Sequence, residues 1–231
     1  MKNRSLLCTD NLILSFGVGL LLICLLYAFK WGLASVYVFQ ARSQIDQWEL
    51  QGDVRTSQVS EASWMGVYEK MQSALALKPS SSRFFNYSGV VFEWGAQIAG
   101  LESSAQNRMW QDAVNSYQRA INLRPLSAYS WVNLFYVKTQ LNQFDEELVL
   151  SAHKAVLHGG NEPYVQDRLM DAAFSRWSDM PASLNELILS QVQRNLFFFP
   201  ETTVELLDRH QLRSVICTQL DITEVVENNC W

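Results

Sequence analysis

The hydrophobic pattern of the chain begins with a segment of nineteen uncharged residues between Asp10 and Lys30, NLILSFGVGLLLICLLYAF. A helix rises about 1.5 Å per residue, so this length crosses the hydrocarbon core of a bilayer. A signal peptide is the alternative, but its apolar region spans about 7–15 residues and ends at a small-residue cleavage site. Here apolar residues continue past Lys30 in WGLASVYVFQ without such a site. The pattern therefore predicts an uncleaved transmembrane helix over residues 11–30.

Beyond this segment, hydrophobic residues recur at helical spacing, and no segment shows the alternation typical of a strand. The sequence therefore predicts an all-α protein. We divide it into a tail over residues 1–10, the transmembrane helix, a juxtamembrane helix over 31–52, a helical domain over 53–216 and a C-terminal cap over 217–231, which lacks clear periodicity.

One short pattern occurs twice in the helical domain, as ALALKP at residues 74–79 and as AINLRP at residues 120–125. An aromatic residue follows six positions after each proline, Phe85 after Pro79 and Trp131 after Pro125. Proline cannot continue a helix and restricts the residue before it, so the chain is expected to turn at both places. The pattern is an internal repeat.

The repeat resembles the tetratricopeptide repeat, a pair of antiparallel helices of about 34 residues. The helix before Pro125 carries Ala113, Tyr117 and Ala120 at the spacing of that family's second helix. The two prolines are 46 residues apart, and we assign the extra residues to an inter-helix loop in GLESSAQNRMWQ, residues 100–111. The resemblance implies about three irregular repeats followed by C-terminal capping helices. An ordinary α-helical domain with two similar turns is the alternative.

The distribution of charge restricts both the partners and the membrane orientation of the chain. Three of the 18 basic residues and one of the 23 acidic residues precede Ala41, which leaves 15 and 22 and a net charge of −7 for the body. This balance argues against nucleic acid and against an anionic lipid surface as partners. Lys2 and Arg4, with the α-amino group and against one acid, Asp10, predict by the positive-inside rule that the tail is cytoplasmic and the body is outside.

The body contains two cysteines, Cys217 and Cys230, thirteen residues apart near the C-terminus. Such a pair closes a small loop and suits an oxidising compartment. Two unpaired thiols remain the alternative interpretation.

Candidate chemistry is sparse. The chain lacks the GxSxG, GxxxxGK[ST], GxGxxG and HExxH motifs, and His153 and His158 are five residues apart, which does not place them on one helical face. We therefore expect no catalytic residue, no cofactor and no metal site. Carboxylates distant in the sequence leave one enzymatic alternative open, a glycan-modifying enzyme that uses Glu93.

In tetratricopeptide domains the first helix of each repeat lines the concave face. By register this face would form a mixed, aromatic-bearing groove for a peptide or protein partner. The alternative is that Tyr129 and Tyr136 are surface aromatics covered by a neighbouring repeat. The predicted groove residues are Arg83, Asn86, Val90, Glu93, Tyr129, Val132, Tyr136 and Thr139.

The segments RPLSAYSW, NEPYVQ and SRW, with a late cysteine, resemble the VpsP-type polysaccharide biosynthesis proteins. The resemblance covers most of the body and the anchor-first layout. That family often has Gly-Pro-Trp before its Glu-Pro, whereas Gly160-Asn161 stands here. The matching positions are Arg124-Pro125, Trp131, Glu162-Pro163, Gln166, Trp177 and Cys217.

The resemblance implies a small bacterial protein of the inner membrane with one N-terminal span and a tetratricopeptide-like periplasmic body. Proteins of this family are encoded within exopolysaccharide loci, which connects them to biofilm formation, and no enzymatic step is assigned to their motif. The expected function is therefore that of a scaffold in extracellular polysaccharide biosynthesis or export. Its partners would be membrane or periplasmic proteins of the assembly machine and the bilayer through residues 11–30. A scaffold of another envelope process, such as cell division or cytochrome maturation, is the alternative.

Overall fold

The computed structural model describes residues 3–50, 59–98, 101–221 and 223–230, with side chains from Phe16 onward. These residues form eleven α-helices and one short 3₁₀ turn, and no strand occurs among them. The helices are α1 (Asn3–Leu50), α2 (Glu61–Leu77), α3 (Ser82–Ala96), α4 (Ser103–Leu123), α5 (Ala128–Gln140), α6 (Glu146–Gly159), α7 (Pro163–Ser175), α8 (Ala182–Phe198), α9 (Pro200–Arg209), α10 (Arg213–Cys217) and α11 (Glu224–Cys230). The expectation of an all-α fold is confirmed for this part of the chain.

Helix α1 continues without a break from the apolar segment into the helical domain. The predicted transmembrane helix over 11–30 and the predicted juxtamembrane helix over 31–52 are therefore one helix, which ends at Leu50; residues 51–52 lie outside the description. Its first described half exposes apolar side chains, with a mean hydropathy of 1.9, and is long and apolar enough to span a membrane. Its second half buries a stripe at helical spacing against α2 and α3, formed by Ala34, Val38, Ala41, Ile45 and Trp48.

The remaining helices pack mainly against their neighbours in sequence. Contacts are most extensive between α3 and α4, between α5 and α6, and between α1 and α2. The first helix of each of these pairs also contacts the first helix of the next, so that α1, α3, α5 and α7 lie side by side. One hydrophobic core joins α1 to α3, and a larger one extends from α4 to α11. This succession positions four helices along one face of the domain.

The expectation of an inter-helix loop over residues 100–111 is wrong. Helix α4 begins at Ser103, so residues 103–111 form its first turns. A stripe with four-residue spacing explains the difference, because it continues the buried face of α4 toward its N-terminus. The members of this stripe are Ala105, Met109, Ala113 and Tyr117.

The C-terminal residues 217–230 include α11, which packs against α8 and α9. Cys217 and Cys230 are joined by a disulfide bond with a Cα–Cα distance of 5.8 Å. Trp231, the last residue of the predicted cap, lies outside the description.

The spacing from Pro125 to Trp131 has a direct structural explanation. The indole Nε1 of Trp131 donates a hydrogen bond of 2.7 Å to the carbonyl oxygen of Pro125, across the turn between α4 and α5. The Trp131 side chain is only 9% exposed, so its indole N–H has little access to water. In the turn between α2 and α3, the matching residue Phe85 has no polar group that could donate a hydrogen bond. There the Ser82 hydroxyl donates to the carbonyl of Ala120 at 2.8 Å.

We expect Trp131→Phe to destabilise the domain by about 1–3 kcal/mol, because the Pro125 carbonyl loses its hydrogen bond and the smaller ring leaves space in the core. Thermal unfolding of the purified chain in detergent measures the effect. Phe85→Leu, at the matching position of the earlier turn, removes a ring without removing a hydrogen bond. A Trp131→Phe protein as stable as the wild type would contradict the role of this bond.

The turn between α5 and α6 is held by an ion pair. Lys138 is buried, and its Nζ lies 2.8 Å from Asp145 Oδ2 and 2.8 Å from Glu147 Oε2. Asp145 also caps α6, since its Oδ1 accepts from the Leu148 amide at 3.0 Å. Burial alone would raise the pKa of Asp145, but the bonds from Lys138 and from the α6 backbone outweigh it and lower that pKa.

The lowered pKa of Asp145 predicts a loss of stability in acid. Its contribution is fully present above the unfolded-state pKa of about 3.9 and is lost as the pH falls through the lower folded-state pKa. Asp145→Asn should therefore be less stable than the wild type at neutral pH, with a difference that narrows below that unfolded-state value. Denaturant unfolding across a pH series tests this, with Asp112→Asn, at an exposed site, as the control. A difference independent of pH would refute the prediction.

Candidate functional site

A close crossing between α3 and α4 determines the position of Glu93. A Cβ atom added at Gly89 would lie 2.4 Å from ring atoms of Tyr117, so only glycine lets this fully buried ring pass. Glu93 lies one turn after Gly89 on the same face of α3. Its Oε1 accepts a short hydrogen bond from the Tyr117 hydroxyl. Gly89 therefore leaves space for the Tyr117 ring, and Glu93 fixes its hydroxyl.

The second oxygen of Glu93 is bound by an arginine from α7. Arg168 Nη2 forms a short ion pair with Glu93 Oε2, and the Arg168 guanidinium carbon lies 3.6 Å from the ring centroid of Tyr136 on α5. We call Glu93, Tyr117, Tyr136 and Arg168 the Glu93 network. It connects α3, α4, α5 and α7 through an ion pair between the buried Glu93 carboxylate and the partly buried Arg168 guanidinium.

Burial and charge set the protonation states of this network. Burial raises the pKa of Tyr117 well above its usual value, and the Glu93 charge adds to the effect. Burial also raises the pKa of Tyr136, to about 12, although Arg168 opposes this. Burial disfavours the charged form of Arg168, but the attraction of Glu93 outweighs it and raises the pKa of Arg168 well above its usual value. Both tyrosines are therefore neutral and Arg168 is charged at neutral pH.

An open cavity of about 490 Å³ lies beside the network, between α1, α3, the start of α5 and α7. We call it the inner groove. Its walls combine charged, amide and aromatic side chains, and they include Arg42, Asp46, Arg83, Asn86, Tyr129 and Tyr164.

Hydrogen bonds and ring stacking order one wall of the inner groove. The Tyr164 hydroxyl donates to Asn133 Oδ1 at 2.9 Å, and the Asn133 amide donates to Asn86 Oδ1 at 3.5 Å. The rings of Tyr129 and Tyr164 stack with centroids 5.4 Å apart, and the Tyr129 hydroxyl donates to Glu162 at 3.4 Å. Aromatic faces next to amides and charges suit a polypeptide, which offers both apolar side chains and backbone polar groups.

The structure brings only part of the predicted groove together. Arg83, Asn86, Val90 and Tyr129 line the inner groove. Glu93 and Tyr136 lie behind it, within the Glu93 network.

Two of the predicted groove residues lie elsewhere. Val132 and Thr139 are fully buried in the core, so their assignment to a partner-binding surface was wrong. The physical reason is that α5 contacts α3, α4, α6 and α7 and has few uncovered positions. The Thr139 hydroxyl is satisfied by the Phe135 carbonyl of the preceding turn, at 2.9 Å.

Several residues of the site were missed from the sequence. Arg168 is separated from Glu93 by 75 residues, and no local pattern connects them. Tyr164 and Arg168 could have been found by extending the repeat register to α7, which follows the Gly159-Gly160 turn. Arg42 and Asp46 belong to α1, whose role as a wall of the inner groove follows only from its continuity with the domain.

The arrangement of Glu93 bears on the enzymatic alternative. Its carboxylate is buried and is bound by both Tyr117 and Arg168, so it presents no free oxygen to a substrate. Among the residues whose positions are described, no group of three or more histidine, cysteine, aspartate or glutamate side chains is arranged to hold a metal ion. The geometry thus favours binding at the inner groove over chemistry at Glu93.

Comparisons with known proteins add no identification. No protein-family model matches the chain, and no curated protein sequence matches it.

Proposed function

We propose that this chain is a single-pass scaffold of the bacterial inner membrane, with a tetratricopeptide-like periplasmic body. In this proposal it takes part in extracellular polysaccharide biosynthesis or export by binding other proteins. The observation that carries the proposal is the inner groove, an open and largely ordered surface beside four aligned helices.

The helix packing supports a repeat architecture. The first helices of successive pairs contact one another, as they do when helix pairs stack. The alanines at the expected crossing positions are all fully buried, which is the condition for close approach of helix axes. They are Ala74, Ala113, Ala120, Ala152 and Ala155.

The anchor and the disulfide support the proposed location. The exposed apolar half of α1 has the length of a membrane span. The Cys217–Cys230 bond is of a kind that persists in the periplasm and is rare in the cytosol.

The pathway rests on the resemblance to the VpsP-type proteins, and two of the shared positions have structural explanations. Trp131 bonds the Pro125 carbonyl at the start of α5. Gln166 makes a short bond to the Gly160 carbonyl at the start of α7. These residues order the turns that lead into two walls of the inner groove, which supports a binding role for the shared motif.

A deletion strain tests the proposal. We expect loss of secreted polysaccharide, or a changed chain length, that re-expression of the wild type restores. Arg83→Glu reverses a charge on the inner groove and should fail to restore it. Arg108→Glu makes the same change at an exposed site of α4 outside the groove and should restore it. Unchanged polysaccharide in the deletion strain would refute the pathway and favour another envelope process.

A further inference from the structure

Three contacts bring several turns to one end of the helical domain. Lys78 Nζ, at the end of α2, lies 4.7 Å from the ring centroid of Trp31 on α1. Ser82, which starts α3, bonds the Ala120 carbonyl near the end of α4. The end of α6 meets the start of α5, since a Cβ at Gly159 would lie 2.4 Å from Ala128 Cβ.

The same end includes the last turn of α8. Arg194 bonds Gly160 and Asn161 in the turn between α6 and α7, and residues 197–199 follow at the end of α8. We call this end the base. The opposite end contains Trp48 and Trp94, whose rings lie 5.4 Å apart.

The base exposes most of the large apolar side chains that remain outside α1. Leu126 is 72% exposed, Leu157 70% and Phe197 65%. Leu123, Phe198 and Phe199 are also exposed there. Elsewhere on the body, exposed aliphatic residues such as Met65, Leu150 and Val215 are scattered singly. Clustered apolar residues at the ends of three helices mark an interaction surface.

Charge is also unevenly distributed between the two ends. The base carries Lys78, Arg83, Arg124 and Arg194, together with two acids, Glu162 and Glu201. At the opposite end, the starts of α2, α4 and α6 carry five acids, against two basic residues near the ends of α5 and α7, Lys138 and Arg176. The five acids are Glu61, Glu102, Asp145, Glu146 and Glu147. The body has a net charge of −7, but basic residues outnumber acids at the base. The base is therefore compatible with anionic lipid headgroups.

The path of α1 indicates what covers the base. The apolar half of α1 leaves the domain next to Trp31, at the base. The helix is continuous through this point, and its second half is fixed in the core from Ala34 to Trp48. A continuous helix has no flexible linker, so a bilayer around its apolar half must lie close to the base.

We propose that the base is a second membrane contact. Its exposed apolar side chains, which include Leu126 and Phe197–Phe199, enter the boundary between headgroups and acyl chains, while the exposed Arg124 meets lipid phosphates. This inference rests on the proposed membrane anchorage. Its consequence is that the domain is held upright on the bilayer, and the inner groove, which includes Arg83 and Arg124, opens near the lipid surface.

Depth-dependent fluorescence quenching tests this contact in the full-length chain. The chain is reconstituted into vesicles of phosphatidylethanolamine and phosphatidylglycerol that contain a nitroxide-labelled lipid. Cys8 and Cys24 are replaced by serine, the Cys217–Cys230 bond is kept, and one environment-sensitive label is attached to a single introduced cysteine. The labelled variants are Leu22→Cys in the apolar half of α1, Leu126→Cys and Phe198→Cys at the base, and Glu102→Cys at the opposite end.

We expect quenching at Leu126 and Phe198 that approaches the quenching at Leu22, and none at Glu102. Quenching at Leu22 without quenching at Leu126 and Phe198 would overturn the base contact and leave the anchor in place. No quenching at Leu22 would instead refute the membrane anchorage of the proposed function. All four positions are exposed, and circular dichroism checks that each variant keeps its helices.

Discussion

Replacing Arg168 by methionine is expected to destabilise the domain by about 3–5 kcal/mol, because it leaves the Glu93 carboxylate buried without its cation. Glu93 is only 4% exposed and keeps a single partner, the Tyr117 hydroxyl, after the change. The same change removes the guanidinium that lies over the Tyr136 ring. Denaturant unfolding of the full-length chain in detergent measures the effect.

Two further variants separate the ion pair from general damage to the fold. Arg108→Met makes the same substitution at an exposed site of α4 and should change stability little. The double variant Glu93→Gln with Arg168→Met removes both charges and should recover part of the loss, as a double-mutant cycle requires for coupled groups. If the two single changes are strictly additive, Glu93 and Arg168 do not form a coupled pair.

Gly89→Ala is expected to cost about 3 kcal/mol, through overpacking at the crossing of α3 and α4. The added methyl group would lie 2.4 Å from the Tyr117 ring, which is fully buried and cannot move away without displacing its hydroxyl from Glu93. Part of this cost is offset, since alanine favours a helix interior more than glycine does. The measured quantity is the shift in the unfolding midpoint.

Gly66→Ala is the matched control for this change. Gly66 lies inside α2, and nothing lies within 4 Å of an added Cβ. The substitution should therefore stabilise the protein by about 0.5–1 kcal/mol, the helix-propensity gain alone. Equal effects at the two glycines would show that the close approach of Tyr117 does not determine the outcome at Gly89.

The sequence predicted those features of the fold that depend on local patterns. Helical spacing predicted the all-α fold, and Pro79 and Pro125 lie directly after the last residues of α2 and α4 and their C-caps. The nineteen uncharged residues after Asp10 predicted a helix with the length of a membrane span. The start of α4 was missed because its first turns are mostly polar. Only a partly buried pair, Ala105 and Met109, continues the buried face of the helix there.

The site was predicted less completely, for physical reasons. Register along α3 identified Arg83, Asn86 and Val90, because one helix face is a local property. Register along α5 failed at Val132 and Thr139, since burial there is decided by neighbours distant in sequence. The pairing of Glu93 with Arg168 depends on how α3, α5 and α7 align, which no single segment encodes.

Cross-linking in living cells tests whether the inner groove binds a protein partner. A photoreactive amino acid replaces Tyr129 in the groove, and in a second strain it replaces Arg108 outside the groove. We predict a discrete adduct from position 129 that contains a membrane or periplasmic protein of polysaccharide assembly, and no such adduct from position 108. The absence of an adduct from position 129, or the same adduct from both positions, would refute the binding of a partner at the inner groove.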